Sequence, residues 1–171
     1  MSYAPPAAAV HGLTFVLGGA RSGKSAHAEA LVMAHPPPWT YVATGQAWDA
    51  EMRARIDAHR DRRGDGWVTV EAPLDLPEAL AASGPVLVDC LTLWATNLLL
   101  AGRTPDMPAL LAAFDRVGPT VVVSNEVGLG IVPDNALSRQ FRDMAGTLHQ
   151  AVAARADRVH LIVAGILLVV K

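Results

Sequence analysis

Gly18-Gly19-Ala20-Arg21-Ser22-Gly23-Lys24-Ser25 is the stretch that decides the fold. It matches Gly-x-x-x-x-Gly-Lys-Ser, a loop whose glycines let backbone N–H groups turn inward around phosphate oxygens. The motif has this meaning between a strand and a helix, and the flanks supply both. The apolar run Leu13-Thr14-Phe15-Val16-Leu17 precedes it, and a segment of helical period follows from Lys24. A helix starting there points its positive dipole end at bound phosphates. Lys24 is then placed to reach the β- and γ-phosphates and the Ser25 hydroxyl to hold Mg²⁺. Lys24 is also the only lysine ahead of Lys171, in a chain that otherwise draws its cations from arginine.

Outward from this loop, apolar β-rich runs alternate with helical segments, the pattern of an α/β fold with a parallel sheet. Strands are expected at 13–17, 40–44, 67–71, 85–89, 120–125, 158–163 and 166–170. Helices are expected at 24–34, 48–62, 91–101, 108–116 and 135–156. Val86-Leu87-Val88 and Val121-Val122-Val123 are continuous rather than alternating, as central strands covered on both faces require. The expectation is one P-loop NTPase domain over 13–171, its mostly parallel central sheet flanked by helices, with 1–12 a loose leader.

At 171 residues and 51% hydrophobic content, the chain has enough apolar material for one buried core. A formal net charge of -2 gives no general attraction to nucleic acid or anionic membrane, so phosphate binding must be local. The lone cysteine, Cys90, excludes an intramolecular disulfide and suits a reducing compartment. The most apolar stretch, 161–170, is broken by Gly165 and is shorter than the roughly 20 residues a membrane span needs. A cytoplasmic protein without stable membrane insertion is the expectation.

In open α/β sheets ligands lie beyond the carboxyl ends of the strands. Val86-Leu87-Val88 ends in Asp89, placed either to organise Mg²⁺ or to cap the next helix. The strand at 120–125 leads into Glu126, which either positions an acceptor hydroxyl or a metal water, or serves the glycine-rich turn Val127-Gly128-Leu129-Gly130. His11, His27, His35, His149 and His160 stand singly without metal-ligand spacing and are given no role.

A phosphate loop fixes phosphate binding and leaves the reaction open. Taken together, GGARSGKS, YVAT, EMRARIDAHR, VLVDCLTLWATNLLL and VVVSNEVGLGIVPDNALSRQFRDMAG resemble the bifunctional adenosylcobinamide kinase/adenosylcobinamide-phosphate guanylyltransferase family in order and spacing. The resemblance runs from about Leu13 to Lys171, and its segments 89–97 and 125–142 are foreign to general P-loop kinases. It implies that a nucleoside triphosphate, ATP or GTP, phosphorylates adenosylcobinamide, and that GTP then donates GMP to that phosphate through a GMP-histidine.

The matching histidine is His59, preceded by Ala58 where some members carry a second histidine. The family's nucleotide contacts fall on Gly18, Gly19, Ala20, Arg21, Ser22, Gly23, Lys24 and Ser25, on Ala43, Thr44 and Gly45, on Arg60, Asp61, Arg62 and Arg63, and on Glu71 and Asp89. Lys24, Asp89 and His59 are the implied catalytic residues, with Ser25 and Asp89 on the metal. The resemblance further implies a homotrimer.

By residue pattern alone, His59 follows Ile56 by one helical turn and Met52 by two, which also suits packing on an apolar face. Arg55, Arg60, Arg62 and Arg63 around it would hold phosphate oxygens and keep the imidazole neutral and nucleophilic, although Asp57 and Asp61 can pair with some of them. Two other readings stand beside this one: a kinase using the phosphate loop only, and a GTP-binding switch. The switch reading lacks both of its usual patterns, because Asn125 is followed by Glu126, and Asp89 leads to Thr92 where a glycine would be needed.

Overall fold

Valine-rich runs too apolar to face water on either side form the middle of a seven-stranded sheet in the computed structural model, which describes residues 11–47, 50, 53 and 63–171. The strands are β1 (Leu13–Gly18), β2 (Trp39–Ala43), β3 (Trp67–Glu71), β4 (Val86–Asp89), β5 (Thr120–Asn125), β6 (Arg158–Val163) and β7 (Ile166–Val169). Their order is β3-β2-β4-β5-β1-β6-β7. All neighbours run parallel except β6 and β7, a hairpin turned by Ala164 (φ 52) and Gly165 (φ 80). Positive φ at both central residues is the geometry of a two-residue hairpin turn, which glycine adopts without strain.

The described helices are α1 (Lys24–Met33), α2 (Leu76–Ala79), α3 (Leu91–Leu100), α4 (Met107–Ala113) and α5 (Ala136–Arg155). Alternation along the central strands sends side chains to two cores. Val86, Val88 and Val122 pack with Trp94, Leu98, Leu110, Leu148 and Val152 from α3, α4 and α5. Leu87, Val121 and Val123 pack on the other face with Ala28, Leu31 and Val32 of α1. The six residues of the two valine-rich runs are fully buried, as continuous apolar strands with cover on both faces must be.

All seven expected strands form, with ends displaced by a residue or less. The helix expected at 108–116 starts one residue earlier, capped by Asp106, whose Oδ1 accepts from the Ala109 N–H at 3.0 Å. It stops at Ala113, and α2 was not anticipated. Of the leader expected at 1–12, positions 1–10 lie outside the described residues, as does the helix expected at 48–62 apart from positions 50 and 53, which are helical.

The early stop of α4 frees Arg116 to act as a staple at the amino ends of the strands. Its Nε donates to the Leu80 carbonyl at 3.0 Å, Nη1 to Thr120 Oγ1 at 3.0 Å and to the Pro119 carbonyl at 3.3 Å, and Nη2 to the carbonyls of Ala82 and Gly84. No other side chain type offers five donors in a planar fork. Arg116→Ala is therefore expected to cost about 2–3 kcal/mol, because several half-buried carbonyls lose their donor at once. The check is a lower urea midpoint with unchanged slope, only partly restored by lysine.

Candidate active site

The register of the sheet assembles the site. Gly18 lies opposite Asn125, Ala43 opposite both Glu71 and Asp89, and Asp89 opposite Val123, so the carboxyl ends of β1, β2, β3, β4 and β5 make one edge. Over that edge the chain turns from β1 into α1 through the phosphate loop.

Gly18 and Gly23 carry the steric demands of this loop. A Cβ on Gly18 would sit 2.5 Å from Ser22 Oγ and 2.7 Å from the Ile162 carbonyl oxygen, so no larger residue fits. Gly23 caps α1 at φ 95, a left-handed conformation disfavoured for other residues. Behind the loop, the Gly165 N–H of the β6–β7 turn donates to the Ser22 carbonyl at 2.9 Å. Lys24 is 8% exposed, and its Nζ donates to the Gly19 carbonyl at 3.0 Å, which folds the ammonium across the loop. Ser25 is half-buried at the first turn of α1, beside the positive end of that helix.

Asp89 is half-buried at the end of β4, and one carboxylate oxygen, Oδ2, accepts from the Tyr41 hydroxyl at 3.3 Å. The residue capping α3 is Cys90, without a side-chain cap bond, so the carboxylate of Asp89 does not take the capping role. The Asp89–Cys90 peptide is cis. Thr44, expected at the nucleotide, is fully buried. Its hydroxyl donates to the Cys90 carbonyl at 2.7 Å and accepts from the Cys90 N–H at 2.8 Å, and its carbonyl accepts from Asn97 Nδ2 at 2.7 Å. Its side chain thus fastens β2 to the start of α3, while Ala43 and Gly45 beside it remain partly accessible.

Thr92 continues this floor, 3.2 Å from Cys90 Sγ and accepting from Asn125 Nδ2 at 2.9 Å. Burial, with the nearby Asp89 charge, pushes the Cys90 thiol up to about 11, so it is neutral at pH 7 and serves packing.

Glu126 is joined to its turn: its Oε1 accepts from the Gly128 N–H in the turn that follows β5, and its own N–H donates to the Gly18 carbonyl at 3.0 Å. Glu71 is exposed at the end of the edge strand β3, open to a ligand's polar edge. His59, Arg60, Asp61 and Arg62 lie outside the described residues. Arg63, which closes that segment, is described: its guanidinium stacks on the Tyr41 ring, Cζ 3.4 Å from the centroid. Arg63 Nη1 is buried with no hydrogen-bond acceptor among the described residues.

The histidines expected to stand singly are partly paired. His27 Nε2 and His160 Nδ1 are 2.9 Å apart beneath the loop, and Ser124 Oγ lies 2.7 Å from His149 Nε2 under the end of β5. Burial, followed by the neighbouring His160, lowers His27 to about 4, and burial also lowers His160 and His149. All three are neutral supports at pH 7. Partners 133 residues apart in sequence leave no local signal. Tyr41 is the site residue that sequence reading missed, its position inside a strand giving no sign that its hydroxyl reaches Asp89.

A family model described as cobinamide kinase / cobinamide phosphate guanyltransferase matches residues 14–170. The bifunctional adenosylcobalamin biosynthesis protein CobP of Pseudomonas aeruginosa is 48% identical over 160 residues, covering 88% of this chain and 92% of that protein. The bifunctional adenosylcobalamin biosynthesis protein CobU of Salmonella typhimurium is 43% identical over 176 residues, covering 90% and 97%. Among solved structures, the flagellar accessory protein FlaH from Methanocaldococcus jannaschii aligns with a TM-score of 0.55 at 12% identity, covering 95% of this chain and 80% of that one. An ATPase from a bacterial type III secretion system aligns at 0.54 and 11%, covering 88% and 50%. The two structural likenesses speak for the α/β fold and for nothing finer.

Proposed function

Because this chain belongs to the cobinamide kinase / cobinamide phosphate guanyltransferase family, we propose that it phosphorylates adenosylcobinamide with a nucleoside triphosphate and then guanylylates the product through His59. In the first step the substrate hydroxyl attacks the γ-phosphorus, the bond to the β-bridging oxygen breaks, and a nucleoside diphosphate leaves. In the second, an imidazole nitrogen of His59 attacks the α-phosphorus of GTP and pyrophosphate leaves. The corrinoid phosphate then attacks the same phosphorus, the P–N bond breaks, and adenosylcobinamide-GDP is released with the imidazole restored.

The observation that carries this reading is the meeting of two segments at one sheet edge. Lys24, Ser25 and Asp89 serve phosphate there, and Arg63, four residues after His59, lies against the tyrosine that holds Asp89. The place of Arg63 so close after His59 in the chain supports a nucleophile near the phosphate loop. Lys24 neutralises charge on the transferring group, and the loop N–H groups orient the phosphates. Arg63, with Arg60 and Arg62, holds phosphate oxygens during guanylyl transfer; Glu71, exposed at the neighbouring strand end, accepts from guanine or ribose.

The Ser25 hydroxyl and the Asp89 carboxylate are hard oxygen donors, few in number, as suits Mg²⁺ shared between a protein and phosphates. Among the described residues no three acidic, histidine or cysteine side chains form an all-protein cage. Bound there, Mg²⁺ supplies neutralisation of the β- and γ-phosphate oxygens.

No described helix is long and apolar enough to cross a membrane, and a cytoplasmic homotrimer completes the proposal. Exposed Ile166, Leu168 and Val169 along the edge strand β7 support association.

The test gives the purified chain adenosylcobinamide with ATP or GTP, and separately α-labelled GTP alone. Corrinoid phosphorylation and acid-labile, base-stable GMP on the protein are the expected results; a phosphorylating chain that takes up no label would be a kinase only. Asp89→Asn removes a charge with little change in volume. It is expected to lower kinase turnover about 100-fold and to raise the Mg²⁺ requirement, with circular dichroism and Tm near wild type.

A further inference from the structure

We propose that Tyr41 is a positioning residue shared by both phosphate chemistries: its hydroxyl fixes one oxygen of the Asp89 carboxylate and its ring carries the Arg63 guanidinium. The inference rests on the functional reading above and adds to it a residue and a division of labour.

Tyr41 lies in β2, opposite Leu87 in the register with β4, so its side chain points to the α1 face of the sheet beside that of Asp89, two residues further along β4. It is 6% exposed, and Trp67 packs edge-on against its ring with centroids 6.3 Å apart. The ring is therefore held, and its hydroxyl reaches the site's edge. A phenol hydroxyl 3.3 Å from a carboxylate oxygen, which can only accept, is the donor of that bond.

A carboxylate oxygen held by a donor leaves the other oxygen oriented for a cation, as outer partners orient metal ligands. Over the face of the same ring sits Arg63, with Nη1 buried and lacking an acceptor among the described residues. A buried guanidinium N–H without an acceptor is costly, and a phosphate oxygen is the acceptor its planar fork fits. The stack sets the plane in which that fork is presented.

Tyr41→Phe keeps the ring and the stack and removes the hydroxyl. Tyr41→Leu removes both. In Tyr41→Phe, Mn²⁺ binding to the protein–nucleotide complex, measured by electron paramagnetic resonance without turnover, is expected to weaken about 3- to 10-fold. The Mg²⁺ concentration for half-maximal phosphorylation should rise by the same factor, with the rate at saturating Mg²⁺ and the KM for the corrinoid unchanged. The shift should vanish in an Asp89→Asn background, because the hydroxyl acts through that carboxylate. GMP labelling at saturating Mg²⁺ should stay near wild type in Tyr41→Phe and fall at least 10-fold in Tyr41→Leu.

An unchanged Mn²⁺ affinity in Tyr41→Phe, or an equal shift with and without Asp89, overturns the link to the carboxylate. Equal labelling in Tyr41→Leu and Tyr41→Phe overturns the link to Arg63. If Tyr41→Phe fails to fold, Tyr41→Leu in the two Asp89 backgrounds gives the same cycle. A wild-type chain without either activity would refute the functional reading itself, and the Mn²⁺ comparison would still decide whether Tyr41 orients Asp89.

Discussion

Lys24→Ala is expected to reduce corrinoid phosphorylation by about 1,000-fold or more, with the fold retained. In the loop, the Lys24 ammonium is nearly buried and folded across to the Gly19 carbonyl. It is thus held against the backbone of the phosphate loop. Phosphoryl transfer asks a protein mainly for position and charge neutralisation, and both weaken when this cation is lost. A donor in a water-poor site is worth several kcal/mol, because its orientation costs nothing at the moment of reaction. Arginine should not rescue it, since a planar fork cannot occupy the place of a compact ammonium. Phosphorylation at near wild-type rate in the folded variant would show that the loop serves something other than the γ-phosphate.

His59→Ala should separate the two activities on one chain. GMP transfer and labelling from α-labelled GTP should disappear, and corrinoid phosphorylation should persist within a few-fold of wild type. Transfer of a γ-phosphoryl group to an alcohol needs no protein nucleophile, whereas displacement through a histidine intermediate has no route without the imidazole. A phosphoramidate hydrolyses in acid and survives base, so the stability of the label identifies the attachment. A variant that still carries acid-labile, base-stable GMP would assign the attack to another histidine. Equal loss of both activities would give His59 a supporting role in a shared nucleotide site.

The strands were legible because valine-rich runs between proline and glycine punctuation have little choice but to be buried strands. The phosphate loop was legible because its chemistry is contiguous: Gly18, Gly23, Lys24 and Ser25 fall within eight consecutive positions. Asp89 was legible as a strand-end carboxylate. Helix α2 was not, since one turn of Leu-Pro-Glu-Ala is too short to show a period.

The end of α4 was misplaced for a different reason. Helical pattern continues through Arg116, but the carbonyls that claim its guanidinium come from residues 80–84 and 118–119, a tertiary preference local pattern does not register. The Thr44 hydroxyl shows the same limit: its partner is Cys90, 46 residues on, which no local pattern announces. The alignment of Tyr41 with Asp89, and of His27 with His160, exists only once β2 meets β4 and α1 meets β6.

The ribosome makes this protein in an order that its nucleotide pocket reverses. β1 and the phosphate loop emerge early, yet β1 lies between β5 and β6, and the Ser22 carbonyl is held by Gly165. While residues up to about 120 are being made, β1 has no sheet neighbour, and its apolar side chains have no second face to cover them. The glycine loop has no rear support until the β6–β7 turn is complete. During translation the nascent chain is therefore a fragment with an uncovered strand, the kind of species that folding helpers shield. The Ser22 carbonyl gains its partner only when the β6–β7 turn has been made.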